Sequence, residues 1–197
     1  MQHTIGRRNL LLLLLGIDAD PSGLGGMTRL QKLLFLLERE EGLSPTEAGY
    51  EFEAYRAGPY SPELYDDLEF LENLGLLRSE VTSEASEPEA AEGRLSFDHL
   101  IGDEVEKSSD GNDVDGPASA DSFEERRFRL TDNGRKQVEK LLQSGDVSPV
   151  AAKIRRVKSK YGKYSLNDLL YHVYTKYPDM TTESEIRDKV LRRGSRR

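Results

Sequence analysis

MTRLQKLLFLLE at residues 27–38 and FEAYRAGPYSPELYDDLEFLENLGLL at residues 52–77 decide how this chain folds, because their helix, strand and turn punctuation is legible residue by residue. Leu30, Leu33, Leu34 and Leu37 recur at the spacing of one buried helical face. Thr28 and Gln31 have the spacing of a capping box, so a helix is expected to open there and to end near Glu41, before Gly42. Phe52 and Ala54 alternate with Glu53 and Tyr55, which predicts a strand over Glu51 to Arg56, broken by Gly58 and Pro59. Ser61 and Pro62 supply a cap and a preset first helical residue. Leu64, Leu68, Leu71 and Leu74 form the stripe of the next helix, and Gly75 stops it.

Working outward, Leu76 to Val81 reads as a strand whose partner is Arg126 to Leu130, across a very long connection. Thr131 then opens a helix to about Leu142. Ser148 and Pro149 open another, with Val150, Ile154, Val157 and Tyr161 along one face. Ser165 and Asp168 cap a third, packed through Leu166, Leu169, Leu170, Val173, Tyr174 and Tyr177 and ended by Pro178. Thr182 and Glu185 are expected to begin a last helix. Ser44, Pro45 and Glu47 suggest a single helical turn. The fold class expected is mainly α with a small β-hairpin, a winged-helix-like α+β domain plus C-terminal helices. Its parts are a core at residues 1–81, an acidic insertion at 82–123, the returning strand and helix at 124–147, and basic C-terminal helices at 148–197.

Near the N-terminus, Arg7 and Arg8 precede Leu10 to Leu15, the look of a twin-arginine export signal. Asp18 and Asp20 follow at once without a small-residue cleavage motif, and a spanning helix needs about 20 apolar residues. A short buried helix over Ile5 to Ile17 is the better reading, with no membrane partner. The chain has no cysteine, which excludes disulfides and thiolate metal sites and favours a cytoplasmic location.

The net charge of −8 is unevenly spread: −6 over residues 1–79, −13 over 80–125, +3 over 126–147 and +8 over 148–197. Excess acid and 18 arginines against 10 lysines suit a high-salt cytoplasm. The insertion is rich in Ser, Glu, Asp, Gly and Pro, with Phe97, Leu100 and Ile101 among its few large apolar residues. Such a composition offers little to offset the entropy of ordering it, so disorder is expected there.

RLQKLLFLLE, FEAYRAGPYSPELY and SLNDLLYHVYTKYP resemble, in that order, segments of the Panacea-type (SocA-like) antitoxin domain and of the YwgA-like bacterial proteins. The resemblance covers residues 27–77 and 165–178, about a third of the chain. Its most specific part is the aromatic-rich strand running into Gly58, Pro59, Tyr60 and Ser61. It implies a mostly helical domain that neutralises toxins or regulates genes, without a cofactor. The stretch from Leu64 to the Leu130, Thr131 and Gly134 ending separately looks like a winged helix. The acidic insertion and the basic C-terminal helices depart from both patterns.

Chemical constellations are sparse. His3, His99 and His172 share no metal-binding spacing. The GLGG at 23–26 meets no dinucleotide fingerprint, no phosphate loop occurs, and no serine sits in a nucleophile elbow, so an enzyme is not expected. Lys153, Arg155, Arg156, Lys158, Lys160 and Lys163, interleaved with Tyr161 and Tyr164, are the candidate nucleic-acid surface. Tyr55, Arg56 and Tyr60 around the Gly-Pro turn are the candidate protein-docking surface, since Tyr and Arg are enriched in hot spots. The helix expected to read a major groove instead carries Glu63, Asp66, Asp67, Glu69 and Glu72 and no cation, which opposes phosphate binding. The expected partners are DNA or a protein such as a toxin, with a homodimer compatible. A DNA-binding regulator or antitoxin leads, and a protein-binding adaptor that does not touch DNA is the alternative.

If the acidic insertion masks the basic C-terminal segment, deletion of residues 82–123 should tighten DNA binding at low salt in an anisotropy titration. Unchanged affinity would reject the mask.

Overall fold

The computed structural model describes residues 5–20, 23–43, 49–84 and 124–194. The expected turn at Ser44, Pro45 and Glu47, most of the acidic insertion with Phe97, Leu100 and Ile101, and the histidines at 3 and 99 lie outside the described residues.

The elements follow in the order α1 (Arg7–Gly16), β1 (Leu24–Gly25), α2 (Met27–Glu41), β2 (Glu53–Tyr55), β3 (Gly58–Tyr60), α3 (Glu63–Asn73), β4 (Leu77–Glu84) and β5 (Glu124–Leu130). Four further helices come next: α4 (Asp132–Gln143), α5 (Ser148–Tyr161), α6 (Leu166–Lys176) and, after a 3-10 turn at Pro178–Thr181, α7 (Arg187–Gly194). The protein is mainly helical, with one three-stranded antiparallel sheet of order β1-β5-β4 and the separate β2-β3 hairpin. Helix, short strand, two helices, then two strands with the first strand added beside the last is the connectivity of a winged helix. The hairpin is inserted between its second and third helices.

The leucine run is the middle of the molecule. Leu10 to Leu15 are all buried, so α1 has no solvent face and must be enclosed. α3, β5, α4 and α5 all pack against it. Arg7 and Arg8 stand at its first turn and grip Asp67 of α3, at 3.1 and 2.9 Å, in place of the export role their spacing suggested. No described helix is long and apolar enough to cross a membrane.

Several sequence expectations need correction. α2 opens two residues earlier than expected, with Gly26 in place of Thr28 as its N-cap and no side-chain cap. Thr28 and Gln31 are buried inside it, and Gln31 instead exchanges two hydrogen bonds with the main chain of Ser61, at 3.0 and 3.1 Å. Lys32 is buried too and donates to the Pro59 carbonyl at 3.0 Å, so the polar flank of α2 is covered by the returning hairpin. Gly58 and Pro59 do not merely break a strand. They begin β3, with Tyr55 opposite Gly58 and Ala54 opposite Pro59. Gly58 has a φ of +88°, and an added Cβ would lie 2.9 Å from the Tyr174 ring. α3 is capped by Pro62 without a side-chain bond, because the Ser61 hydroxyl turns to the Glu63 carboxylate at 2.5 Å. The last helix starts at Arg187, beyond the Thr182 to Glu185 expected to open it. The Glu185 amide is already committed to the Arg56 carbonyl at 2.9 Å. β4 runs on through a bulge to Glu84, opposite Glu124, so the strand pair reaches past residue 82.

Other readings stand. Gly75, at φ +65°, ends α3 with Gly75 N to Glu72 O and Leu76 N to Leu71 O bonds, a Schellman closure. Ser165 caps α6 by accepting from Asp168 N at 3.1 Å. Thr131 caps α4 by accepting from Gly134 N, and its own hydroxyl donates to the Gly75 carbonyl at 2.6 Å. That turn joins the end of α3 to the start of α4. Gly134 is required there, since a Cβ would sit 2.0 Å from the Leu76 carbonyl oxygen. Gly134→Ala should lower unfolding free energy by about 1–3 kcal/mol through backbone overpacking, seen as a lower urea midpoint with an unchanged slope.

Candidate nucleic-acid interface

The six cations expected to form one basic surface do not act together. Lys153 donates to the Gly42 carbonyl at 3.2 Å, Arg156 pairs with Glu41 at 2.7 Å and Lys160 with Glu40 at 2.8 Å. All three therefore fasten α5 to the last turn of α2, where carbonyls and carboxylates converge. Lys158 points the other way and caps the end of α1, donating to Leu14 O at 3.1 Å and to Ile17 O. Burial pushes its pKa down while Asp18 and Asp20 oppose the shift. Among the described residues, Arg155 and Lys163 are the members of the set with neither an ion pair nor a side-chain hydrogen bond.

The fastening centres on Glu40. Its carboxylate accepts from Lys176 at 2.7 Å, Lys160 at 2.8 Å and the Tyr161 hydroxyl at 2.6 Å, with His172 Nε2 at 3.1 Å. Burial favours the neutral acid, but these hydrogen bonds outweigh it and hold the carboxyl well below the usual glutamate range. Burial and then Glu40 push the Tyr161 hydroxyl up to about 12. Two residues earlier, Glu38 behaves oppositely. Its buried Oε1 has no partner among the described residues, and desolvation pushes its pKa up to about 8 against the Tyr50 backbone N–H and Arg39.

A different set of cations does converge. The end of α1, the loop after it, the sheet and α5 enclose a cleft of about 770 Å³. Arg78, Arg127 and Arg129 reach it from the sheet, Arg29 from α2, Arg135 from α4, and Arg155 and Lys158 from α5, against Asp18 and Asp20. The register explains the sheet's share. Leu77, Phe128 and Leu130 face the core, so the alternate positions put Arg78 opposite Arg129 and Glu80 opposite Arg127 on the other face. Glu80 spans two of the guanidiniums, at 3.4 Å from Arg78 and 3.3 Å from Arg129, which tempers their repulsion. Gly23, at φ +84°, lets the loop close over Arg129, because a Cβ would lie 2.6 Å from its Cγ. The sequence signal was present in RRFR at 126–129, whose alternation about the buried Phe128 marks a cationic strand face.

Around the α5–α6 turn lies a second hollow, of about 460 Å³, lined by Lys163, Tyr164, Tyr171, His172 and Lys176 among others. The cleft and the hollow share this turn, since Gly162 lines one and Lys163 the other.

The turn residues proposed for docking are differently placed. Tyr60 is buried between Tyr55 and Tyr65, with ring centroids at 5.3 and 6.1 Å, and is a packing residue. Arg56 pairs with Glu185 at 3.4 Å beneath a cation–π contact to Tyr55. Among the described residues, the exposed large apolar side chains are instead Phe70, Leu74, Val81 and Tyr164. Leu74, expected in the buried stripe of α3, is more than half exposed at the helix's C-cap. No group of three or more metal-ligating side chains occurs among the described residues.

Neither a protein-family model nor a curated protein matches this chain.

Glu40→Gln should lower unfolding free energy by about 2 kcal/mol at pH 7, where three charge-assisted hydrogen bonds are weakened. The native pKa of Glu40 is depressed, so its contribution is full above the unfolded value near 4.5 and fades as pH falls through the native one. The gap between variant and parent, followed by urea unfolding, should accordingly shrink below about pH 4.5.

Proposed function

We propose that this protein is a non-enzymatic, winged-helix-like regulator of the antitoxin type that binds nucleic acid through the arginine-lined cleft. The observation that carries the reading is the convergence of seven basic side chains from four parts of the fold on one concave surface. Cations so placed displace the counterions of a phosphate backbone, and guanidiniums grip phosphate oxygens bidentately. Occlusion of the bound segment, not chemistry on it, is the mode of action. α3, whose position in a winged helix belongs to the groove reader, offers Glu63, Asp66, Glu69 and Glu72 and is kept away from phosphate by them.

A second reading rests on that same helix. Phe70 and Leu74 are exposed among its carboxylates, which suits a cationic protein partner such as a toxin, and makes the chain an adaptor that leaves DNA alone.

Anisotropy titrations of duplex DNA at several salt concentrations separate the two. Binding should weaken steeply with salt, and the Arg127→Ala/Arg155→Ala double variant should reduce the slope of log affinity against log salt by about 2. Arg156→Ala, which loosens only the contact with Glu41, should leave that slope unchanged. Absence of binding at low salt to duplex and to single-stranded DNA alike would remove the nucleic-acid reading and leave the adaptor.

A further inference from the structure

We infer that the nucleic acid held in the cleft is an unpaired strand, and that the aromatic hollow beside it receives a base. The inference rests on the proposed cleft function and specifies its ligand. Single-strand binding needs a cationic track for the backbone and, within reach of it, aromatic faces on which bases stack. Both are present on the two sides of one turn. Arg29, from the cleft side, donates to the Tyr164 carbonyl at 2.9 Å, so the two surfaces are joined by a direct contact.

The hollow is built for an aromatic guest. Tyr164 is 37% exposed, and its ring is held edge-to-face by Tyr161 at 5.4 Å. Tyr161 in turn stacks obliquely on His172 at 5.0 Å and is tied to Glu40 through its hydroxyl. The aromatic wall is therefore braced from behind, which limits the ordering cost on binding. Lys163 flanks the hollow and supplies charge for a phosphate beside a stacked base, while Lys176 on the hollow's wall stays paired with Glu40. A duplex keeps its bases paired and reaches a protein through its grooves, and the helix placed for a groove is acidic here. A strand with free bases uses both surfaces at once.

The test uses the full-length chain and three fluorescein-labelled probes of about 12 nucleotides: oligothymidine, the same strand annealed to its complement, and an abasic sugar–phosphate strand. Oligothymidine should bind more tightly than either of the others. Tyr164→Ala should weaken oligothymidine binding about tenfold and leave the duplex and abasic strand unchanged, while Tyr164→Phe retains the parent affinity. Equal weakening of the strand with bases and the strand without them, or no effect of Tyr164→Ala, overturns the base-stacking inference. Duplex bound as tightly as the single strand overturns it also. The cleft reading fails separately, when Arg127→Ala/Arg155→Ala leaves all three affinities at the parent value. If those arginine changes weaken every probe while Tyr164→Ala changes none, the cleft stands and only the hollow is rejected.

Discussion

A helix made of six consecutive leucines, Leu10 to Leu15, all of them buried, has no face to give to water, and everything else in this protein is arranged to surround it. Each such side chain contributes about 1.5–3 kcal/mol when fully buried. The winged-helix elements alone wall α1 on the sides of α3, β5 and α4, and the remaining side is closed by α5. The C-terminal helices are therefore a structural part of the core and not an appendage to it. The two ends of α1 are secured by charge. Arg7 and Arg8 tie its first turn to the buried Asp67, and Lys158 satisfies carbonyls at its last turn.

That arrangement decides what the basic residues of α5 are for. The helical pattern identifies which face of α5 is polar and cationic, but nothing local identifies what lies opposite. Glu40 and Glu41 are more than a hundred residues away in sequence, and the fold brings them under Lys160 and Arg156. A cationic stripe adjoining two carboxylates and a helix C-terminus is neutralised in place. The cationic surface that remains belongs to the sheet, where β pairing sets Arg78, Arg127 and Arg129 side by side, and to Arg29, Arg135 and Arg155 around it.

Much of the architecture is readable from short-range signals, because these act within one turn of chain. The Gly75 stop and the Thr131 and Ser165 caps each have hydrogen-bond partners within five residues. The misreadings share the opposite property. Thr28 and Gln31 have the spacing of a cap, yet Gln31 is taken by the main chain of Ser61, thirty residues on. Gly58 and Pro59 look like a break, but a two-stranded ribbon has free edges that tolerate proline, and the tight approach of Tyr174 explains the glycine. The site divides the same way. Tyr60 looked like a docking residue because its sequence neighbours are aromatic and polar, and it is buried because Tyr55 and Tyr65 close over it. Arg29, Arg78 and Arg135 lie far apart in sequence, and only their convergence on one cleft gives them a common role.

The acidic α3 and the cationic cleft are two consequences of one constraint. Asp67 must face inward to hold Arg7 and Arg8, which anchors α3 to α1 at its own N-terminal half. Carboxylates in a helix's first turn, as at Glu63 and Asp66, are further favoured by the backbone dipole. With Glu69 and Glu72 added, the helix that winged folds send into a groove is repelled by any polyanion, and approach from that side is unfavourable at every distance within the Debye length. On the cleft side the sign reverses, with Arg127 and Arg155 contributing full charges that no described carboxylate pairs. The local potential therefore has opposite signs at α3 and at the cleft, and the two faces of the domain are electrostatically unlike before any partner is considered. The aromatic hollow stands on the cationic side, at the end of the cleft where the turn after α5 lies, so that the rings of Tyr164 and Tyr171 and the arginines of the sheet share one electrostatic environment.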